Sequence, residues 1–140
     1  MGHQELDNLV NVRQLKKEPA LPDEVAGLIR SGTARLEDSR NPSLHFESRF
    51  DLAYNAAHAF SLAALRCHGY RSDSRYIVFQ CLQHTIDLPS EQWRVLDHAH
   101  RKRNLAEYEG HAEVEEPLIE ALIRVAGIVA DRVVTLQLQA

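Results

Sequence analysis

The sequence predicts an all-α protein, an antiparallel bundle of four or five helices, and three observations carry that prediction. Ala and Leu dominate the apolar residues, while Val, Ile and aromatic residues are sparse outside two segments, a balance that favours helix over strand. The apolar positions recur in steps of three and four, the spacing that lines one face of a helix. The chain has 140 residues, which fits one domain with a core of its own.

Residues 5–18 read as a weakly amphipathic helix or an ordered arm, broken by the Pro-containing segment 19–23. A helix is expected from Asp23 to Arg40 with Val25, Leu28, Ile29 and Leu36 inward, weakened by Gly27 and Gly32. Asn41-Pro42 ends it, and Ser43 is the expected N-cap of the next helix. That helix, Leu44 to His68, carries the strongest pattern. Phe46, Phe50, Ala53, Ala57, Phe60, Ala64 and Cys67 form one stripe, and Leu52, Ala56, Ala59 and Ala63 form a second beside it. Two apolar faces place it at the centre of the bundle. Gly69 closes it before a polar loop, Arg71-Ser72-Asp73-Ser74. Residues 75–87 suit strand or helix by propensity, and the helical spacing of Tyr76, Phe79, Leu82 and Ile86 favours one helix. Ser90 is the expected N-cap of a helix from Glu91 to Glu109 that stops at Gly110. Pro117, after Glu113, Glu115 and Glu116, marks the first turn of a last helix with Leu118, Leu122, Val125, Val129, Val133 and Leu136 inward. The bundle proper is expected over 22–138, with 1–20 as arm or short helix.

Charge and motif content remove several classes. The net charge of -4 gives no general affinity for nucleic acid and leaves room only for a local basic patch. Cys67 and Cys81 fall inside apolar helical patterns and read as reduced core residues. No apolar run approaches the length of a membrane span, and the acidic start lacks the apolar core of a signal peptide, so a cytoplasmic protein is expected. No Gly-rich phosphate loop, nucleophile elbow or paired-Cys motif is present. His98 and His100 are alternate residues that point about 200° apart on a helix and do not share one ion, and His68 and His84 lack ligand spacing. No metal and no cofactor are expected.

One anomaly stands out on the helix over 93–109. Val95, Leu96, Ala99 and Ala106 define an apolar sector at about 100° per residue, and Arg103 falls inside it, away from Lys102 and Glu109. His100, Asn104 and Glu107 lie at its border toward Trp93. An inward charge is costly unless it is paired or meets another surface. The polar set is therefore an internal ion-pair network or a site.

The string His98-Ala99-His100-Arg101-Lys102-Arg103-Asn104-Leu105-Ala106-Glu107-Tyr108 resembles the signature of HEPN domains, an Arg followed by a polar residue and, a few positions later, His late in a helix. The resemblance covers about residues 44–138 and includes the upstream order of a long small-residue-rich helix, a Gly-containing loop and a shorter helix. It implies a symmetric homodimer in which the family's Arg and His face their counterparts across a cleft and cut RNA without a metal, with Arg103 as that arginine and Asn104 as its polar neighbour. It also implies a prokaryotic toxin–antitoxin or nucleotidyltransferase-linked setting, with a nucleotidyltransferase or antitoxin as partner and RNA or a nucleotide as ligand. Tyr108 stands where the family has His. An unperturbed tyrosine titrates near 10 and is a poor base at neutral pH, whereas His titrates near 6.5.

On the resemblance, Arg103, Asn104 and Tyr108 are the candidate catalytic residues, and His100, Arg101, Lys102 and Arg103 the candidate RNA- or nucleotide-binding ones. His111 lies beyond the usual spacing from Arg103, and His100 offers an imidazole from the turn before it. Three readings follow: an RNA- or nucleotide-associated protein that does not depend on cleavage, an active metal-independent ribonuclease toxin, and a non-catalytic structural or protein-partner subunit. A tyrosine near a basic cluster is also a nucleotidylation acceptor in some toxin pairs, although Tyr108 sits at the family His position itself.

Overall fold

The computed structural model describes residues 2–110 and 113–139. Its elements are α1 (His3–Asn11), β1 (Lys16–Lys17), α2 (Pro22–Ser39), α3 (Phe46–Cys67), β2 (Tyr70–Arg71), α4 (Arg75–Gln80), α5 (Leu82–Thr85), α6 (Ser90–Glu109) and α7 (Glu116–Gln139). The all-α expectation holds, and α3 is the central helix, packed on α2 and α7 along its length and touching α4, α5 and α6. Among the described residues no helix is long and apolar enough to cross a membrane.

The two stripes of α3 explain its place. Phe50, Ala53, Ala57, Phe60 and Ala64 are buried, as are Ala56, Ala59 and Ala63, so the helix has dry faces on two sides. Phe46, at the open end of the first stripe, is exposed. The packing of α2 on α3 needs Gly32. A Cβ there would sit 2.8 Å from Cε1 of Phe60, so the residue that weakens α2 as a helix is the one that lets the aromatic ring in. From α7, Ile119, Leu122, Val125, Ala126, Val129 and Val133 complete the main core. A second cluster joins Leu6 of α1 and Leu15 to Leu65, Tyr70, Val78 and Cys81, which fastens the N-terminal arm to the bundle.

Buried arginines tie the helix ends. The Arg66 side chain is 1% exposed. Its Nε donates to Glu24 Oε2 (2.7 Å), Nη1 to the carbonyls of Glu18 (2.7 Å) and Tyr70 (3.1 Å), and Nη2 to the Pro19 carbonyl (3.2 Å) and Glu24 Oε1 (3.2 Å). Every guanidinium N–H is used. Arg49 donates from Nε to the Ser39 carbonyl at 2.7 Å and from Nη2 to Glu120 at 3.1 Å, closing the C-terminus of α2 against α3 and α7.

Local chemistry shifts several boundaries from their expected places. Ser43 does not cap α3: its N–H donates to Asn41 Oδ1 at 3.0 Å within a turn, and His45 is the flanking residue. Ser90 is the first residue of α6 rather than its cap, because Pro89 supplies the extended flank. The helix expected over 75–87 is two short ones, α4 and α5, that meet at Cys81, where the His84 N–H bonds back to the Cys81 carbonyl at 2.8 Å in a tighter turn. Ser74 caps α4, its Oγ accepting from the Ile77 N–H. The expected first turn at Pro117 is present in α7. A two-residue antiparallel ladder, Lys16 opposite Arg71 and Lys17 opposite Tyr70, joins the arm to the loop after α3.

Candidate functional site

The inward arginine of α6 meets α3. The Arg103 side chain is 29% exposed, and its guanidinium carbon lies 5.1 Å from the centroid of the buried Tyr54 ring. Arg75, at the start of α4, brings a second guanidinium to 5.5 Å from the same ring and donates to Asn55 Oδ1 at 3.1 Å. Two cations against one ring exploit the negative face of its π system. Arg103 also pairs with Glu107, one turn on, at 2.9 Å.

Tyr54 anchors a short chain of polar groups. Its hydroxyl lies 2.9 Å from His100 Nδ1, and Asn104 Nδ2 lies 3.1 Å from His100 Nε2. The Asn104 amide nitrogen only donates, so Nε2 accepts, and Nδ1 carries the proton and donates to the Tyr54 oxygen. His100 is thus held as a neutral imidazole with both nitrogens engaged. Burial lowers its pKa, and the charges of Arg103 and Arg75 push the same way. His58, one turn after Tyr54 and edge-on to Phe79, is pushed down to about 4 by burial first and then by Arg75, Arg103 and His100. The Tyr54 phenol is raised by desolvation. Asp97 and Glu107 oppose the two arginines at His100, whereas at His58 the charges of Arg75, Arg103 and His100 all add to burial.

The sequence-predicted residues divide. Arg103, Asn104 and His100 come together. Tyr108 does not join them: it is 91% exposed, because five residues turn about 140° on a helix and carry it off the face that Arg103 uses. Arg101 also points away, 76% exposed and paired with Asp97 at 3.1 Å. Lys102 donates to the Glu113 carbonyl at 3.1 Å. His111 lies outside the described residues. Three residues were missed, Tyr54, His58 and Arg75. The signal was there for Tyr54 and His58, polar-tipped rings four apart between the small residues of α3. Arg75 carried none, since only the fold brings α4 beside α6.

A cleft of about 400 Å³ opens beside Arg103, with Glu47 and Asp51 from α3 and Glu107 from α6 on its walls. Its carboxylates oppose an anion on that side. Among the described residues no group of three or more His, Cys, Asp or Glu is placed to hold a metal ion. Comparison with protein-family models, with curated proteins and with solved structures returns no match.

Proposed function

We propose that this chain is a HEPN-like homodimeric bundle of a prokaryotic toxin–antitoxin or nucleotidyltransferase-linked system, and that it binds RNA or a nucleotide through phosphate at Arg75 and Arg103 without cutting it. The observation that carries the reading is the pair of guanidiniums held against Tyr54, one from the helix with the Arg-Asn signature. Arginine presents a planar fork suited to phosphate, and stacking on the ring fixes its orientation in advance. Metal-free cleavage needs a group that takes and returns a proton. Tyr108 faces solvent away from Arg103, and both nitrogens of His100 are committed to Tyr54 and Asn104. Binding without cleavage follows from that distribution.

The test uses an end-labelled RNA and the full chain. Retention of intact RNA, weakened at least tenfold in both Arg103→Ala and Arg75→Ala, is the expected result, on the scale of one charge-assisted hydrogen bond. RNA fragments made by the wild type and not by Arg103→Ala would establish the ribonuclease reading instead. A specific observation favours one second reading, a protein-partner subunit: Phe46, Tyr76, Leu105 and Tyr108 are large apolar or aromatic side chains left exposed. Unchanged RNA retention in both arginine variants, with co-purification of a neighbouring gene product lost in Leu105→Asp, would decide for it.

A further inference from the structure

A basic cleft lies where the N-terminal arm meets the loop after α3. It encloses about 370 Å³, and its walls include Arg13, Lys16, Arg71, Ser72, Asp73 and Ser74. The volume falls within the range of small-molecule sites. Three cations face one carboxylate in a protein whose net charge is -4.

Two features of the backbone hold these cations together against local preference. The turn after α1 closes with Arg13 N–H on the Val10 carbonyl (3.0 Å) and Gln14 N–H on the Leu9 carbonyl (2.9 Å). That is a Schellman pattern, and it puts Arg13 at φ 65, the left-handed position that glycine normally fills. The ladder then sets Lys16 directly opposite Arg71, a like-charge cross-strand pair that disfavours the pairing. Arg71 is partly neutralised by Glu18 at 3.3 Å and Glu24 at 3.5 Å. Among the described residues neither Arg13 nor Lys16 has an acidic partner.

The loop supplies donors as well. Ser72 Oγ accepts from the Ser74 N–H (3.1 Å), and Ser74 Oγ accepts from the Ile77 N–H (3.3 Å). Each hydroxyl keeps its own proton to donate. Two unpaired cations, a third bridged to Glu18 and Glu24, and two hydroxyl donors on one small cleft match the oxygens and charge of a terminal phosphate.

We infer that this cleft binds a phosphomonoester, as the terminal phosphate of a mononucleotide or of an RNA end, at a site separate from Arg75 and Arg103. Isothermal titration of the full chain at fixed ionic strength tests it with inorganic phosphate, adenosine monophosphate, adenosine, and a short RNA bearing either a 5′-phosphate or a 5′-hydroxyl. Saturable binding of the monophosphate, with none of adenosine, is expected. The better ligand of the monophosphate and the phosphorylated RNA names the source. Arg13→Gly is the decisive variant, because glycine relieves the left-handed residue while removing its cation. It should melt at or above the wild-type temperature and bind about tenfold more weakly or worse. Lys16→Gln should weaken binding similarly, and every titration is run in the Arg75→Ala, Arg103→Ala background so that the first phosphate contact does not contribute. Absence of saturable binding, equal binding of both RNA ends, or wild-type affinity in Arg13→Gly would overturn the inference.

Discussion

Replacing Arg66 by methionine removes a guanidinium from five acceptors while keeping much of its volume. The carbonyls of Glu18, Pro19 and Tyr70 lose a donor, and the Glu24 carboxylate loses its two-pronged partner. The Arg66 side chain is 1% exposed, so water does not replace what it supplies without opening the junction of the arm, α2 and β2. Leaving one side of such a pair uncompensated costs about 3–5 kcal/mol. Glu24 is 30% exposed and recovers part of its hydration, which places the expectation near ~3 kcal/mol, the lower end of that range. A domain of this kind holds only about 5–15 kcal/mol in total. With a urea slope of about 1–3 kcal/mol per molar, the midpoint should fall by about 1–3 M. Arg66→Lys keeps the charge but offers three donors without the planar fork, and should fall between the two. The assay is equilibrium urea unfolding followed by far-ultraviolet circular dichroism, with the slope checked for constancy. A methionine variant within about 0.5 kcal/mol of the wild type, the margin of an ordinary surface substitution, would refute the reasoning.

Acid should loosen the fold in a defined window. His58 has its pKa lowered from 6.5 to about 4, so the unfolded chain takes up its proton first, and stability present above 6.5 is lost as pH falls toward 4. His58 contributes at most about 3 kcal/mol, trimmed by its partial contact with solvent, and His100 and His68, also lowered, act in the same direction. Urea midpoints measured between pH 7.5 and 4 should fall steadily, and His58→Gln should flatten the fall; parallel curves would contradict it. Tyr54→Phe should cost about 1–2 kcal/mol by leaving His100 Nδ1 without its acceptor, yet spare RNA retention because the ring beneath the guanidiniums remains. The two glycines of α2 should respond oppositely to alanine in thermal melts. Gly27→Ala meets only Arg30 Nη2 at 3.7 Å and should gain about 0.5–1 kcal/mol, whereas Gly32→Ala drives a Cβ into the Phe60 ring and should lose stability.

The long helices were legible because their information is periodic and local. Most stripe residues of α3 are buried, with Phe46 exposed and Leu52 and Cys67 partly buried, while buried Tyr54, Leu65 and Arg66 lie outside both stripes, and Pro117 marks the first turn of α7. Cap positions were less legible. Ser43 and Ser90 are residues of the right type, but Asn41 engages one and Pro89 moves the helix start ahead of the other. The break between α4 and α5 left no mark in the periodicity of 75–87, since both pieces bury apolar residues on the same side. Nor did periodicity reveal Arg66, whose aliphatic stem fits a helical face while its head reaches carbonyls from the arm and β2. On the wheel of α6, Arg103 falls with the border residues His100, Asn104 and Glu107, and the structure links Arg103 to Glu107 and Asn104 to His100. The linear motif added Arg101, Lys102 and Tyr108, which share the string but not the face.

That difference bears on what α6 is built to do. A helix face is set by residues three and four apart, so His100, Arg103, Asn104 and Glu107 are joined by geometry before any partner arrives. The Asn104 amide sets the tautomer of His100, and the Tyr54 ring backs the guanidinium of Arg103. Arg75 comes to the same ring from α4, and no acidic side chain pairs with it among the described residues. Two like charges held against one ring oppose each other, and both add to burial, the larger cause, in lowering the pKa of His58. A purely structural arrangement would be improved by neutralising one of them, so Arg75→Gln should stabilise the free protein slightly while weakening its hold on RNA. An Arg75→Gln variant that is less stable than the wild type and binds RNA as well would reverse the assignment, making the arginine a strut of the bundle rather than a contact for phosphate.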